Sequence, residues 1–96
     1  MSPIESYYLK ASCEFDNHNW KSNQIDLWNE ILSQPEKEWI NPILNHIGHA
    51  HCEYDGSGIY EGGKDYYFVC KTYQSVLMLK EILEKMGLIV EYHKDN

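Results

Sequence analysis

Residues 49–70 read HAHCEYDGSGIYEGGKDYYFVC, and the fold turns on how this stretch divides. His49 to Tyr54 alternates, with His49, His51 and Glu53 on one side and Ala50, Cys52 and Tyr54 on the other, the period of a half-buried strand. Asp55-Gly56-Ser57-Gly58 is a dense turn signal and Gly62-Gly63 a second one, leaving Ile59-Tyr60-Glu61 as a short arm of a long hairpin. Tyr66 to Cys70 is aromatic and β-branched and apolar on both parities. That predicts a central strand and leaves open which of its faces is buried.

Upstream, Ile4 to Phe15 also alternates. Tyr7, Leu9, Ala11, Cys13 and Phe15 fall on one side and Tyr8, Lys10, Ser12 and Glu14 on the other, which predicts a first strand. Asp16-Asn17-His18-Asn19 is turn chemistry, and Ser22 or Asn23 caps a helix whose apolar face is Ile25, Trp28, Ile31 and Leu32, with Leu27 beside it. Pro35 ends that helix, and Ser33-Gln34-Pro35-Glu36 has the pattern of a capping box opening a second one. The second carries Trp39, Ile40, Ile43, Leu44 and Ile47, is expected to kink or restart at Asn41-Pro42, and closes at Gly48. Trp28 and Trp39 read as core and Trp20 as a contact on the helix side. Downstream, Val76, Leu79, Ile82, Leu83 and Met86 recur at helical spacing within Thr72–Met86, Gly87 suits the residue after the helix, and Leu88 to Tyr92 is the last strand.

The resulting order, β-α-(α)-β-β-α-β, predicts an α+β fold of the ferredoxin-like β-α-β-β-α-β plait. Four antiparallel strands would carry the helices on one face, with the first helix divided at Pro35 or Pro42. The first strand and the Tyr66–Cys70 strand would be central. The helix-free face, open to solvent or a partner, is where function is expected.

Ninety-six residues with 43% apolar and 14% aromatic side chains are read as a single domain, 1–96, with enough material for one core. Fifteen acids oppose eight bases for a formal charge of −7, and every base is Lys. Arg is the usual residue for bidentate contact with phosphates and base edges, and nucleic-acid binders release counterions through a basic stripe. Neither is present, and the acids are spread evenly over both halves, so direct nucleic-acid binding is not expected. Cys13, Cys52 and Cys70 are odd in number and far apart in sequence, which reads as buried free thiols in a reducing compartment. No charged-then-apolar leader and no apolar run of spanning length is visible, so a cytoplasmic protein without membrane contact is expected.

Lys64-Asp65-Tyr66-Tyr67-Phe68-Val69-Cys70-Lys71 resembles the RNP1 octet of the RNA-recognition-motif family, and Tyr7-Tyr8-Leu9 falls where that family's RNP2 aromatic stands. The resemblance implies a plait with Tyr8, Tyr66 and Phe68 as base-stacking residues. Asp65 and Tyr67 replace small residues and Lys71 replaces an aromatic. The resemblance covers about a tenth of the chain.

His46, His49, His51 and Cys52 form H-x-x-H-x-H-C. On a strand His49 and His51 would point the same way and could hold a transition metal, completed by His46 or Glu53, although no standard ligand spacing is met. Cys52 adjoins His51, but strand neighbours face opposite sides, which works against a nucleophile–base pair. No nucleophile elbow, phosphate loop or metal-binding carboxylate motif is present, and no enzyme is expected.

What remains is the acidic hairpin, where Glu53, Tyr54, Asp55, Tyr60, Glu61, Asp65 and Tyr66 interleave carboxylates with tyrosines. Tyrosine supplies contact area at low entropic cost, and complementary charge steers association. The expectation is a small acidic protein-binding or inhibitory protein of the immunity or anti-defence type, docking on a basic, nucleic-acid-handling partner. The alternatives are a metal- or small-ligand-binding plait and a degenerate RNA-recognition domain. Homodimerisation through the open sheet face is compatible with each.

Overall fold

The computed structural model describes residues 6–15 and 24–95, so the features expected at Ile4, at Asp16 to Asn19 and at Trp20, Ser22 and Asn23 lie outside the described residues. Strand β1 (Ser6–Glu14) leads to a short α1 (Ile25–Leu27) that widens into a π-helical turn (Trp28–Leu32). Then come α2 (Glu36–Ile47), β2 (Cys52–Tyr60), β3 (Gly63–Cys70), α3 (Tyr73–Met86) and β4 (Ile89–Asp95). The four strands make one sheet in the order β2-β3-β1-β4, every neighbouring pair antiparallel. The architecture is α+β.

Alternation decides the faces. In β1, Tyr7, Leu9, Ala11 and Cys13 are buried while Tyr8 and Lys10 are not. Register then transmits this phase: Leu9 faces Phe68 and Ala11 faces Tyr66 across β3, so Tyr66, Phe68 and Cys70 point inward too. Leu32, Trp39, Ile40, Leu44, Val76, Leu79 and Leu83 cover this inner face from the helices. Each side chain buried in this way contributes on the order of 1.5–3 kcal/mol. Trp39 meets the Tyr66 ring edge-on at 4.9 Å, and Trp28 stacks on Phe15 at 4.4 Å, which docks the π-helical turn on the end of β1.

Helix α3 is capped at both ends. The Thr72 hydroxyl accepts from the Ser75 amide at 3.1 Å while the Ser75 hydroxyl accepts from the Thr72 amide at 3.3 Å. At the other end Gly87 adopts φ +111°, and the Leu88 amide donates to the Leu83 carbonyl.

Three expectations change. First, Asp55-Gly56-Ser57-Gly58 is no turn, because β2 runs straight through it. The register slips by one between Tyr54–Phe68 and Gly56–Tyr67, so Asp55 is the extra residue of a β-bulge and Gly56 supplies the left-handed backbone at φ +125°. The hairpin reverses at Glu61-Gly62 instead. Second, Pro35 caps α2 with no side-chain hydrogen bond, and the Ser33 hydroxyl turns back to the Asn29 carbonyl, so the expected capping box is absent. Third, α2 continues through Pro42 without a restart. Pro42 is exposed, so the carbonyl that loses its amide partner lies on the solvent side. Cys13, Cys52 and Cys70 are buried free thiols as expected, and Cys52 and Cys70 are register partners at the open end of the β2–β3 hairpin.

Candidate functional site: the open sheet face

The side chains of opposite parity form a face that no helix of the described residues covers. Three cross-strand rows define it: Glu53, Val69, Tyr8 and His93; Gly56, Tyr67, Lys10 and Glu91; and Gly58, Asp65, Ser12 and Ile89. Two glycines on β2 leave Tyr67 room, and the ring edge reaches 3.8 Å from where a side chain on Gly58 would begin. Tyr8 and Tyr67 are each 39% exposed and Ile89 43%, large apolar surfaces for the middle and edge of a sheet. A shallow cavity of about 500 Å³ lies among Tyr8, Lys10, Asp55, Tyr67, Glu91 and His93.

The electrostatics of this face are closed internally. Lys10 Nζ sits 2.7 Å from Glu91 Oε1. That hydrogen bond and its charge raise the Lys10 pKa above the usual lysine range and lower that of Glu91 below the usual carboxylate range. Lys71 Nζ lies 3.6 Å from Glu53. Ser12 donates to Asp65 Oδ1 at 2.5 Å and Tyr67 to Asp65 Oδ2 at 3.3 Å, which sets the Tyr67 ring over the sheet. Tyr8 and His93 rings tilt together at 5.6 Å. Both lysines of the face are therefore held by its own carboxylates, while Glu14, Asp55 and Asp65 add further negative charge.

Of the partner-contact residues expected from the sequence, Glu53, Asp55, Tyr60 and Asp65 lie on this side of the sheet and Glu61 is exposed in the hairpin turn. Tyr54 and Tyr66 do not join them. Tyr66 is fully buried beneath α2, and Tyr54 donates to Glu36 Oε2 at 2.5 Å on the helix side. Burial, reinforced by the Glu36 charge, pushes the Tyr54 phenol up to about 12 and raises that of Tyr66 as well.

The same phase removes the base-stacking arrangement, because Tyr66 and Phe68 face the core with Tyr8 alone of the three outward. A signal for the correct phase was present: Asp65 and Lys71 share the parity of Tyr67 and Val69, and charges select the solvated face.

The histidines likewise separate. His49 and His51 stand in the turn before β2 rather than on a strand, and the His49 Nε2 is 2.5 Å from Asn45 Oδ1 on α2. His46 is exposed on α2, and among the described residues no three His, Cys, Asp or Glu side chains come together to hold a metal ion.

Sequence reasoning missed Lys10, Tyr67, Val69, Ile89, Glu91 and His93 as members of one surface. They come from three strands, and only register brings them together.

No protein-family model matches the chain, and no curated protein matches it. Among solved structures it is similar to "De novo designed protein Foldit4", at 12% identity over 98% of each chain with a TM-score of 0.47. Among the described residues no helix is long and apolar enough to cross a membrane.

Proposed function

We propose that this chain is a ferredoxin-like plait that acts as a protein-binding inhibitor, docking its open sheet face on a basic, nucleic-acid-handling protein in the manner of immunity or anti-defence proteins. The element order and the strand order β2-β3-β1-β4 support the plait. One observation carries the docking reading: Tyr8, Tyr67 and Val69 form an apolar patch that no helix of the described residues covers, bordered by Glu53, Asp55, Asp65 and the Lys10–Glu91 pair, with Ile89 exposed beyond that pair and Lys10 and Lys71 neutralised in place. Aromatic anchors within a charged rim suit a protein interface. A protein that handles nucleic acid displays a Lys/Arg footprint for phosphates, and an Arg-free chain of charge −7 is complementary to that footprint. Occupying it would exclude the nucleic acid by competition.

The test uses the partner captured from cells by this chain and then purified. Tyr67→Ala should weaken its binding by about 10-fold or more, as for a central interface anchor. A duplex oligonucleotide should displace the wild-type chain from the partner. Unchanged affinity on Tyr67→Ala, or a partner that binds chain and oligonucleotide together, would remove the proposal.

A further inference from the structure

We infer that Cys52 and Cys70 form a site of reversible covalent modification, a cross-strand disulfide made by thiol–disulfide exchange with a low-molecular-weight disulfide of the glutathione type. The inference stands apart from the docking reading and rests on backbone register. Cys52 opens edge strand β2, Cys70 closes β3, and the two are directly opposite. The Lys71 amide donates to the His51 carbonyl at 2.8 Å, so the rung just outside the pair is the hydrogen-bonded one. Cys52 and Cys70 are therefore a non-hydrogen-bonded antiparallel pair, whose Cα atoms lie about 4.5 Å apart, at the near end of the span that a disulfide bridges. Both side chains point to the inner face, with the two Sγ atoms 2.9 Å apart. Neither strand has to move for a bond to form.

Reactivity and access also fit. The contact between the two sulfurs holds the Cys52 thiol below the ordinary range, while the same contact and burial push Cys70 well above it. Cys52 lies on edge strand β2 and Cys70 on central β3, so Cys52 is the attacking thiolate and Cys70 the resolving thiol. Both are fully buried, but they sit at the hairpin end opposite its turn, on a pair that includes an edge strand, where local opening is easiest. In the first step the Cys52 thiolate attacks one sulfur of the small disulfide and expels one thiolate, giving a mixed disulfide. In the second, Cys70 loses its proton to solvent and attacks the Cys52 sulfur, expelling the second thiolate. Two protein thiols are oxidised, and one small disulfide is reduced to two thiols.

Cys13 provides the internal control. It faces Lys64 in register, six residues along β3 from Cys70 and hence about 20 Å away, and burial pushes its thiol up to about 11.

The full chain, reduced and desalted, should be incubated with graded mixtures of oxidised and reduced glutathione, then read by intact mass, peptide mapping and thermal unfolding. The expected result is loss of two hydrogen atoms, one free thiol remaining, a Cys52–Cys70 cross-link and an unfolding midpoint raised by about 10 °C, since the closed loop is short. Cys13→Ser should give the same cross-link, and Cys70→Ser should stop at a glutathione adduct on Cys52. Three free thiols in the folded oxidised sample, an adduct that never resolves in the wild type, or a cross-link through Cys13 would each overturn the inference.

Discussion

Glu36 lies in the first turn of α2, and its carboxylate accepts hydrogen bonds from Tyr54, Ser57 and Lys64, three residues of the β2–β3 hairpin. Lys64 is largely buried between this carboxylate and the faces of Trp28 and Tyr66, its Nζ lying 5.2 Å from the Tyr66 ring centroid. Burial works against ionisation of Glu36, but the hydrogen bonds from Lys64, Tyr54 and Ser57 outweigh it and hold the carboxyl below its usual range. Removing the acceptor strands a part-buried ammonium, so Glu36→Ala should cost about 1–3 kcal/mol in urea unfolding at neutral pH. A depressed folded-state pKa means that the contribution is present above the unfolded value of about 4.3 and is lost as pH falls through the folded value. The stability gap between wild type and Glu36→Gln should therefore be widest near neutral pH and close below about pH 4; a gap that widens in acid would contradict the assignment. Tyr66 offers a second residue-scale contrast. Its buried hydroxyl has no hydrogen-bond partner among the described residues, so Tyr66→Phe should leave stability unchanged or raise it, whereas Phe68→Ala should cost about 3–5 kcal/mol. Little of this network was legible. Glu36 reads locally as a capping-box acid, and its true partners are 18, 21 and 28 residues away.

At the scale of elements, existence was legible and interruption was not. Period-two alternation located β1, and helical spacing located α2 and α3. Each punctuation mark had two physical uses, and the local pattern could not choose between them. Asp55-Gly56 could close a turn or feed a bulge, and the sheet used it as a bulge because β2 continues to pair with β3 as far as Tyr60–Gly63. Pro42 could stop a helix or ride its exposed side, and packing of Trp39, Ile40, Leu44 and Ile47 carried α2 past it. The two β2 glycines should therefore answer differently to alanine. Gly56→Ala forces a side chain into φ +125° and should cost about 1–2 kcal/mol, although the space there is open. Gly58→Ala meets only ordinary contact with the Tyr67 ring and should cost less than about 0.5 kcal/mol in the same denaturant titration. Equal costs would place the irregularity elsewhere on the strand.

For the whole molecule, charge and composition were legible at once, whereas the surface that uses them was not. In sequence the acidic hairpin residues form one patch, yet β3 divides them, sending Asp65 outward and Tyr66 inward, and the outward set gains Tyr8, Lys10 and Glu91 from strands far off in sequence. That face carries net negative charge, so two copies would repel across it, and sedimentation at low ionic strength should show a monomer. The partner proposed for this face is a basic protein. It is sought most directly by capture from cells with two immobilised baits, the wild-type chain and Tyr67→Arg, at about 50 mM and 500 mM salt, with the retained proteins identified by mass spectrometry. The predicted result is a basic, nucleic-acid-handling protein held by the wild-type bait at low salt, released at high salt and absent from Tyr67→Arg. Retention of the same proteins by both baits, acidic partners, or no enrichment over the variant would contradict it.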